Sequence, residues 1–180
     1  MSFKQDGSVK AKLNKIDGGY NLTITGNGRT KTYEDETKVP WYAISKRIID
    51  LTINNGITVI GNYMFHSLES TKGCMLPASI TAIGRDAFRE DAELYSYSGS
   101  TITNACNATI YFYQENMPDV SGLYWRYKNG VPTVWTTTKM LYIGNSFTFY
   151  YDIPMLVEGL AKSLNEMIKV DYVVKGAETL

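Results

Sequence analysis

The chain has 180 residues, 44% of them hydrophobic, and its 18 Lys and Arg residues balance 18 Asp and Glu residues. This apolar content is enough for a buried core in one domain or in two small ones. The zero net charge, without any basic stripe, argues against nucleic acid as a partner, and no apolar run is long enough to span a membrane.

The first part of the chain predicts a strand and a short helix. Residues 20–26 alternate apolar and polar side chains, and residues 39–49 have the spacing of a short amphipathic helix. We interpret residues 18–50 as an N-terminal cap for the region that follows. The first residues lack the apolar core of a signal peptide, so we expect either a cytosolic protein or a chain that begins downstream of its export signal.

An internal repeat follows, in which residues 51–65 align with residues 74–88. Five aligned pairs are identical at an offset of 23 residues: Ile57/Ile80, Thr58/Thr81, Ile60/Ile83, Gly61/Gly84 and Phe65/Phe88. A period of this size is typical of solenoid proteins. The pattern predicts that the isoleucines face inward, that Phe65 and Phe88 stack in the interior, and that Gly61 adopts a left-handed turn conformation. Cys74 aligns with Leu51 and is expected to be a small core residue.

This repeat resembles the leucine-rich repeats of BspA-like bacterial surface proteins, in which an Ile-Thr-x-Ile-Gly-x-x-x-Phe core recurs along a β-solenoid. The resemblance implies a binding surface for a protein or glycan ligand and an extracellular or cell-surface location. Because stacked units normally need three or more repeats with atypical caps, we interpret residues 109–113 as a degenerate last strand. Residues 96–107 are rich in Ser, Thr and Asn and predict a loop.

A β-hairpin is predicted over residues 123–135. Asn129-Gly130 lies between two β-prone runs and favours a type I′ turn, and Pro132 favours an edge strand. The aromatic side chains of this segment could stack on sugar rings, but pairing across the hairpin is their commoner use. Residues 136–138 indicate a hinge, so we predict a domain boundary near residue 137, with domains at 1–137 and 138–180.

From residue 139 the pattern becomes strand, helix and strand. Residues 140–143 predict a buried strand, Asp152 is a candidate helix cap, and apolar residues recur at helical spacing from Leu156 to Met167. Residues 170–174 predict a second strand, parallel to the first. In such sheets ligands bind beyond the carboxyl ends of the strands. Asn145-Ser146 and Lys175-Gly176 both fall there.

Residues 141–148, Leu-Tyr-Ile-Gly-Asn-Ser-Phe-Thr, together with residues 175–180, resemble the opening of an SGNH (GDSL-type) hydrolase. They match the subgroup that has Gly-Asn-Ser where others have Gly-Asp-Ser. The resemblance covers residues 139–180 and implies an ester substrate in the parent protein. It implies that Ser146 is the nucleophile, that Gly176 supplies an oxyanion-hole N–H, and that Asn145 shapes the turn beside the nucleophile.

The same family also needs a later Asn donor and an Asp-x-x-His pair, because a serine hydroxyl without a base is a poor nucleophile. The only histidine is His66, which we expect to be a solvent-facing loop residue. We therefore expect a fragment of a longer esterase that is inactive by itself. The alternatives are a non-enzymatic adhesion or interaction module, or a split gene whose second polypeptide brings the missing residues.

The predicted fold is mainly β with some α. A short leucine-rich-repeat β-solenoid with a hairpin is followed by a partial α/β unit of SGNH-like fold. One His and two isolated Cys give no metal-ligand spacing, and no cofactor is indicated.

Overall fold

A computed structural model describes residues 2–4, 8–69, 73–97, 102–118, 122–144 and 152–174. The chain divides into two compact units, Met1–Tyr113 and Gln114–Leu180, which we call unit 1 and unit 2. Both units are mainly β with few helices, as predicted. The predicted domain boundary near residue 137 stays a prediction, since compactness alone does not define a module. Within the described ranges, no helix is both long enough and apolar enough to cross a membrane.

Unit 1 is built from short strands and two 3₁₀ helices. The 3₁₀ helices are Glu36–Lys38 and Tyr42–Arg47. The strands are β1 (Ser2–Lys4), β2 (Lys10–Ile16), β3 (Gly19–Thr25), β4 (Gly28–Arg29), β5 (Ile48–Ile53), β6 (Ile57–Ile60), β7 (Cys74–Leu76), β8 (Ala82–Ile83), β9 (Glu93–Ser96), β10 (Thr103–Asn104) and β11 (Thr109–Tyr113).

Strands of unit 1 that are separated by about one repeat pair in parallel. One sheet has the order β10, β8, β6, β4; in addition β3 pairs with β5, and β9 lies between β7 and β11. Between β6 and β8, Val59 is opposite Ala82 and Ile60 is opposite Ile83. This register has the 23-residue offset of the sequence repeat. The two repeated segments therefore lie side by side and are joined by backbone hydrogen bonds.

The core of unit 1 contains a row of aromatic rings. The centroids of Trp41 and Phe65 are 6.2 Å apart, and those of Phe65 and Phe88 are 5.2 Å apart. All three side chains are buried. The predicted interior stacking of Phe65 on Phe88 is confirmed, and burial of these rings is a large part of the driving force for folding. The predicted inward-facing isoleucines are also buried: Ile57, Ile60, Ile80 and Ile83.

The repeated glycines serve a different purpose from the one predicted. Gly61 and Gly84 are not among the residues with positive φ, so the prediction of a left-handed Gly61 is wrong. A Cβ on Gly61 would instead overlap the carbonyl oxygen of Lys31, and one on Gly84 would lie 2.5 Å from Asn62 Oδ1. The glycines are needed because the neighbouring backbone approaches too closely for a side chain. The left-handed residues of the two turns are Tyr63 (φ 56°) and Asp86 (φ 51°).

Unit 1 departs from the prediction in two further places. The segment predicted as an amphipathic helix contains the 3₁₀ helix Tyr42–Arg47, which leads directly into β5. The predicted loop at 96–107 contains β10, where Thr103 pairs with Ala82. Both residues of β10 are exposed and polar, so this strand forms through backbone hydrogen bonds and leaves no apolar alternation in the sequence.

Unit 2 begins with the predicted hairpin. Its strands are β12 (Tyr124–Lys128) and β13 (Val131–Val134), which pair antiparallel. The φ angles of Asn129 and Gly130 are 53° and 78°, as a type I′ turn requires. The hairpin and its turn are confirmed, and Pro132 lies in the second strand, as predicted.

A strand, a helix and a strand follow: β14 (Thr138–Gly144), α1 (Ile153–Ser163) and β15 (Ile168–Val174). The two strands pair in parallel along their whole length. The predicted parallel pair is therefore confirmed. The predicted helix cap is wrong, because Asp152 lies in the left-handed region (φ 46°) and its side chain makes no capping hydrogen bond.

The leucine stripe of α1 faces away from the sheet. Leu156, Leu160 and Leu164 are 65%, 61% and 66% exposed, whereas Pro154 and Ala161 are buried. In the prediction, residues 140–143 form a buried strand, but Leu141 is 61% exposed. The leucines therefore lie on the side of α1 opposite the one that packs on the strands, which carries Pro154 and Ala161.

Candidate functional site

The predicted catalytic residues, Asn145, Ser146 and Gly176, lie outside the described residues. The structure does describe the strands that lead to them. Gly144 and Val174 are opposite each other at the ends of β14 and β15. Ser146 follows Gly144 by two residues, and Gly176 follows Val174 by two. The assigned catalytic roles stay predictions.

In unit 2, Arg126 links the hairpin to the residues that follow α1. Its side chain is 10% exposed, and Nη2 lies 3.2 Å from Glu166 Oε2. Nη1 donates to the carbonyl oxygen of Asn165 at 2.6 Å, and the guanidinium lies 3.7 Å from the ring centroid of Trp135. A cation at a helix C-terminus satisfies a free carbonyl and interacts favourably with the helix dipole. Arg126 is therefore a structural link within unit 2.

Asn165 and Glu166 complete this link. Asn165 has a φ of 57°, its Oδ1 accepts the Met117 N–H at 2.8 Å, and its Nδ2 donates to the Glu115 carbonyl. Lys128 Nζ donates to Glu166 Oε1 at 2.7 Å. That hydrogen bond, together with the nearby cationic charges, lowers the pKa of Glu166. The polar groups hold the hairpin against the end of the helix.

In unit 1, His66 lies against a carboxylate. Its Nδ1 is 2.5 Å from Glu36 Oε2, its side chain is 34% exposed, and its ring meets Tyr63 edge-on. His66 therefore lies in a turn with its side chain one third exposed, as expected of a loop residue, and its ring also contacts the Glu36 carboxylate. The pairing orients the imidazole, since a carboxylate that accepts from one ring nitrogen fixes the plane of the ring.

Arg89 occupies the equivalent place in the next repeat. It follows Phe88 as His66 follows Phe65. Arg89 Nε and Nη2 donate to the two carboxylate oxygens of Asp91 at 2.9 and 3.1 Å. This bidentate pair lowers the pKa of Asp91 and raises that of Arg89. The repeat thus places two nitrogen-bearing side chains at equivalent positions, each beside a carboxylate.

Two adjoining cavities open beside these pairs, and we call them together the turn groove. Their volumes are about 380 and 230 Å³, and both are lined by His66 and Arg89. The larger cavity is also lined by Glu36, Tyr42, Lys46, Arg47, Ser67 and Glu69, and the smaller by Asp86, Phe88, Glu90, Asp91 and Asn107. The buried Ser67 hydroxyl has no hydrogen-bond partner among the described residues. This groove has both signs of charge and a polar lining.

A second surface of unit 1 carries two tyrosine pairs, which we call the tyrosine face. The ring centroids of Tyr95 and Tyr111 are 5.8 Å apart, and those of Tyr97 and Tyr113 are 5.7 Å apart. Burial and the hydrogen bond to Glu93 raise the pKa of Tyr95 to about 12, so its phenol stays neutral. The residues that alternate with these tyrosines are buried: Leu94, Ser96 and Ile110. The tyrosines therefore lie on the side of β9 and β11 that faces away from the core.

The two cysteines are buried and unpaired. Burial raises the pKa of Cys74 to about 12 and also raises that of Cys106. The prediction that Cys74 is a small core residue is confirmed. Within the described ranges, no three His, Cys, Asp or Glu side chains lie close enough together to hold a metal ion.

Sequence reasoning missed the turn groove. Glu36 and His66 are 30 residues apart and belong to no recognisable motif. The repeat alignment does contain one signal, because His66 and Arg89 each follow the core phenylalanine of their repeat. Equivalent positions of stacked repeats lie side by side, so polar residues at such positions predict a common surface.

Comparisons with known proteins give one structural likeness. No known protein family matches the sequence, and no curated protein matches it. The chain is similar to the crystal structure of a leucine-rich repeat protein from Eubacterium ventriosum, with a TM-score of 0.46 and 21% sequence identity. The match covers 79% of this chain and 38% of that protein. The chain thus spans less than half of that protein's length.

Proposed function

We propose that the chain is a ligand-binding module joined to the start of an esterase domain in a bacterial surface or secreted protein. In this proposal the repeats of unit 1 form a short leucine-rich-repeat β-solenoid. The parallel pairing of β6 and β8 at the repeat offset is the observation that carries the proposal. Stacked repeats of this kind present a continuous surface on which neighbouring units contribute side chains to one ligand.

The tyrosine face is the surface best suited to a macromolecular ligand, either a protein or a glycan. Tyrosine provides a large contact area with few rotatable bonds and a polar group at its tip, and it is enriched in binding sites. Tyr95 and Tyr111 also belong to strands whose inner sides are anchored in the core. Their positions are therefore fixed before a ligand arrives, which lowers the entropic cost of binding.

The binding role is tested on arrays of glycans and of purified extracellular proteins. The full chain is compared with the Tyr95→Ala/Tyr111→Ala variant and with Tyr42→Ala as a matched change of an exposed tyrosine elsewhere in unit 1. We expect a ligand whose affinity falls by about tenfold or more in the tyrosine variant, equivalent to roughly 1.4 kcal/mol. A chain that binds nothing on either array contradicts the proposed binding role.

The esterase part of the proposal is supported by the parallel β14–α1–β15 unit. The strands end opposite each other, at the paired residues Gly144 and Val174. In the proposed reaction, the Ser146 hydroxyl attacks an ester carbonyl while the Ser146 and Gly176 amides donate to the oxyanion. The ester C–O bond breaks and the alcohol leaves with a proton, after which water hydrolyses the acyl-serine to the free acid. Asn145 shapes the turn, and an Asp-x-x-His pair outside this chain takes and returns the proton.

Hydrolysis of 4-nitrophenyl acetate tests this assignment. We expect the 180-residue chain to show no turnover above that of Ser146→Ala, because a serine without a base is weakly nucleophilic. A form extended through the coding sequence, or supplemented with an Asp-x-x-His polypeptide, should show turnover that Ser146→Ala abolishes. If every form that binds ligand lacks esterase activity, the alternative of a non-enzymatic adhesion or interaction module is correct.

A further inference from the structure

We infer that a cavity beside the tyrosine face of unit 1 binds an arginine or lysine side chain of a protein partner. The inference rests on the proposed binding function and selects a basic protein segment among its possible ligands. It depends on the position of the cavity, on its excess of carboxylates and on the tyrosine rings beside it.

The cavity, which we call the junction cavity, has a volume of about 420 Å³ and joins the two surfaces described above. Arg89 and Asp91 line both this cavity and the turn groove, and Tyr95 belongs to the tyrosine face. Three of its lining side chains are apolar and buried: Phe65, Leu68 and Phe88. The volume lies within the range of small-molecule sites, about 300–1,000 Å³. The apolar part of the lining suits the methylene chain of a long side chain, whose charged end then contacts the polar groups.

The charged groups of the junction cavity favour a cation. Its lining contains Glu69, Asp91 and Glu93 but one basic side chain, Arg89. Arg89 donates two hydrogen bonds to Asp91, so the charges of this pair are matched. Among the described residues, neither Glu69 nor Glu93 forms a salt bridge, and both are exposed. These two carboxylates attract a cation and repel an anion.

The neighbouring cavities do not reverse this balance. Together the three cavities are lined by six carboxylates and by three lysine or arginine side chains. The pKa of Arg89 is raised, first by Asp91 and then by the carboxylates of Glu69 and Glu36, which reflects the same excess. The whole chain has no net charge, so the negative potential is local to this part of unit 1.

Tyrosine rings beside these carboxylates provide a second attraction for a cation. The Tyr95 hydroxyl donates to Glu93 Oε2 at 2.9 Å, so ring and carboxylate lie together at the cavity. Unit 1 contains a cation at such a pair: Arg85 lies 5.7 Å from the centroid of the Tyr63 ring, and its Nε is 3.7 Å from Asp86 Oδ2. A cation is attracted to an aromatic ring, and a guanidinium can also form two hydrogen bonds with a carboxylate. A basic side chain from a partner meets the same two kinds of group in the junction cavity.

The surface around the cavity favours a protein segment over a small cation. Tyr97 follows Tyr95 on the same side of β9 and is 39% exposed, and its ring centroid is 5.7 Å from that of Tyr113. Exposed tyrosines are enriched where proteins bind proteins. They offer a contact surface to the residues on either side of a bound basic side chain, which a small cation does not have.

The test begins with the full chain on an array of immobilised random dodecapeptides. We expect the bound peptides to be enriched in arginine and lysine. Fluorescence anisotropy with the best-binding peptide should give a Kd of about 0.1 mM or below. An analogue of that peptide with glutamine in place of every arginine and lysine should bind at least about tenfold more weakly. The affinity should fall as salt is added, because exposed charges are screened.

Variants of the lining separate the junction cavity from general charge effects. Glu69→Gln/Glu93→Gln keeps an acceptor for the Tyr95 hydroxyl and should weaken peptide binding by about fivefold. Asp17→Asn/Glu34→Gln removes the same charge from exposed positions of unit 1 that line none of the three cavities, and should leave binding unchanged. Arg89→Gln should strengthen binding by about two- to fivefold, because Asp91 then loses its cationic partner.

The outcomes distinguish this inference from the proposed function. Circular dichroism of each variant shows whether it is folded. The inference is overturned if bound peptides are not enriched in basic residues, if the control variant loses binding as much as Glu69→Gln/Glu93→Gln, or if a folded Arg89→Gln protein loses binding. If no basic peptide binds but a glycan is bound and is lost in Tyr95→Ala/Tyr111→Ala, the binding function stands and this inference fails. If neither glycans, proteins nor peptides bind, both fail.

Discussion

Substitution of Gly61 by alanine tests the close packing of the repeats. The added Cβ would overlap the carbonyl oxygen of Lys31 and would lie 2.7 Å from its carbonyl carbon and 2.8 Å from Thr32 Oγ1. Two of these atoms belong to the backbone, so the strain cannot be relieved by rotation of a side chain. Gly61 N–H also donates to Thr30 Oγ1 at 2.8 Å, and a shift of the backbone would weaken this buried hydrogen bond.

The expected cost follows from these contacts. Overpacking costs about 1–3 kcal/mol, and a weakened buried hydrogen bond adds about 1 kcal/mol. We therefore expect Gly61→Ala to lower the free energy of unfolding of unit 1 by about 3 kcal/mol. The φ of Gly61 is not positive, so this cost is steric and not conformational.

Urea unfolding followed by fluorine NMR of 5-fluorotryptophan measures this change. Trp41 is the only tryptophan of unit 1, so its resonance reports on that unit alone. Gly159→Ala is the control: nothing lies within 4 Å of its added Cβ, and because Gly159 belongs to unit 2, the unfolding of unit 1 reported by Trp41 should be unchanged. A Gly61→Ala protein within about 0.5 kcal/mol of the parent protein would refute the account of close backbone approach.

Three further predictions concern charged and buried groups. Arg126→Ala should lower the free energy of unfolding of unit 2 by about 2–3 kcal/mol, because the buried guanidinium donates to the Asn165 carbonyl and stacks on the Trp135 ring. Lys128→Ala, on the same strand, should change this free energy little. Urea unfolding measures both. The lowered pKa of Glu166 contributes stability that is present above its ordinary value of 4.5 and lost as pH falls through the folded pKa. The free energy of unfolding of unit 2 should therefore fall as the pH drops below about 4.5. Urea unfolding at a series of pH values should show that Glu166→Gln removes this part of the pH dependence. Cys74, with a pKa of about 12, should react with iodoacetamide at pH 8 only after urea unfolds the protein, and rapid labelling of the folded protein would contradict its burial.

The sequence predicts those parts of the fold that depend on local chemistry or on a repeat. Asn129-Gly130 predicts its turn because few other residues adopt two successive positive φ angles. The recurrence of Phe65 at Phe88 predicts their contact because equivalent residues of adjacent repeats lie side by side. Both inferences use relations that are visible in the chain itself.

Other features depend on contacts that the sequence does not display. A glycine has the same letter whether it is needed for its φ or for space, and only the Lys31 carbonyl shows which applies to Gly61. The pairing of His66 with Glu36 depends on the path of the chain between them. The leucine stripe that ends at Leu164 predicts a helix correctly, but it does not show which side of the helix packs on the strands.

Limited proteolysis distinguishes two positions for the boundary between the halves of the chain. A module boundary near residue 137 predicts a first cut at 136–138. The hydrogen bonds of unit 2 favour a different result, because Arg126 bonds Asn165 and the Trp135 Nε1–H donates to the Gln114 carbonyl at 2.8 Å. These contacts should keep the hairpin and the β14–α1–β15 unit in one protected fragment. Mass spectrometry should then find a fragment that begins before β12. If the first product ends near residue 137 and the pieces separate, these contacts are too weak to join the hairpin to the helix, and the hairpin belongs with the repeats.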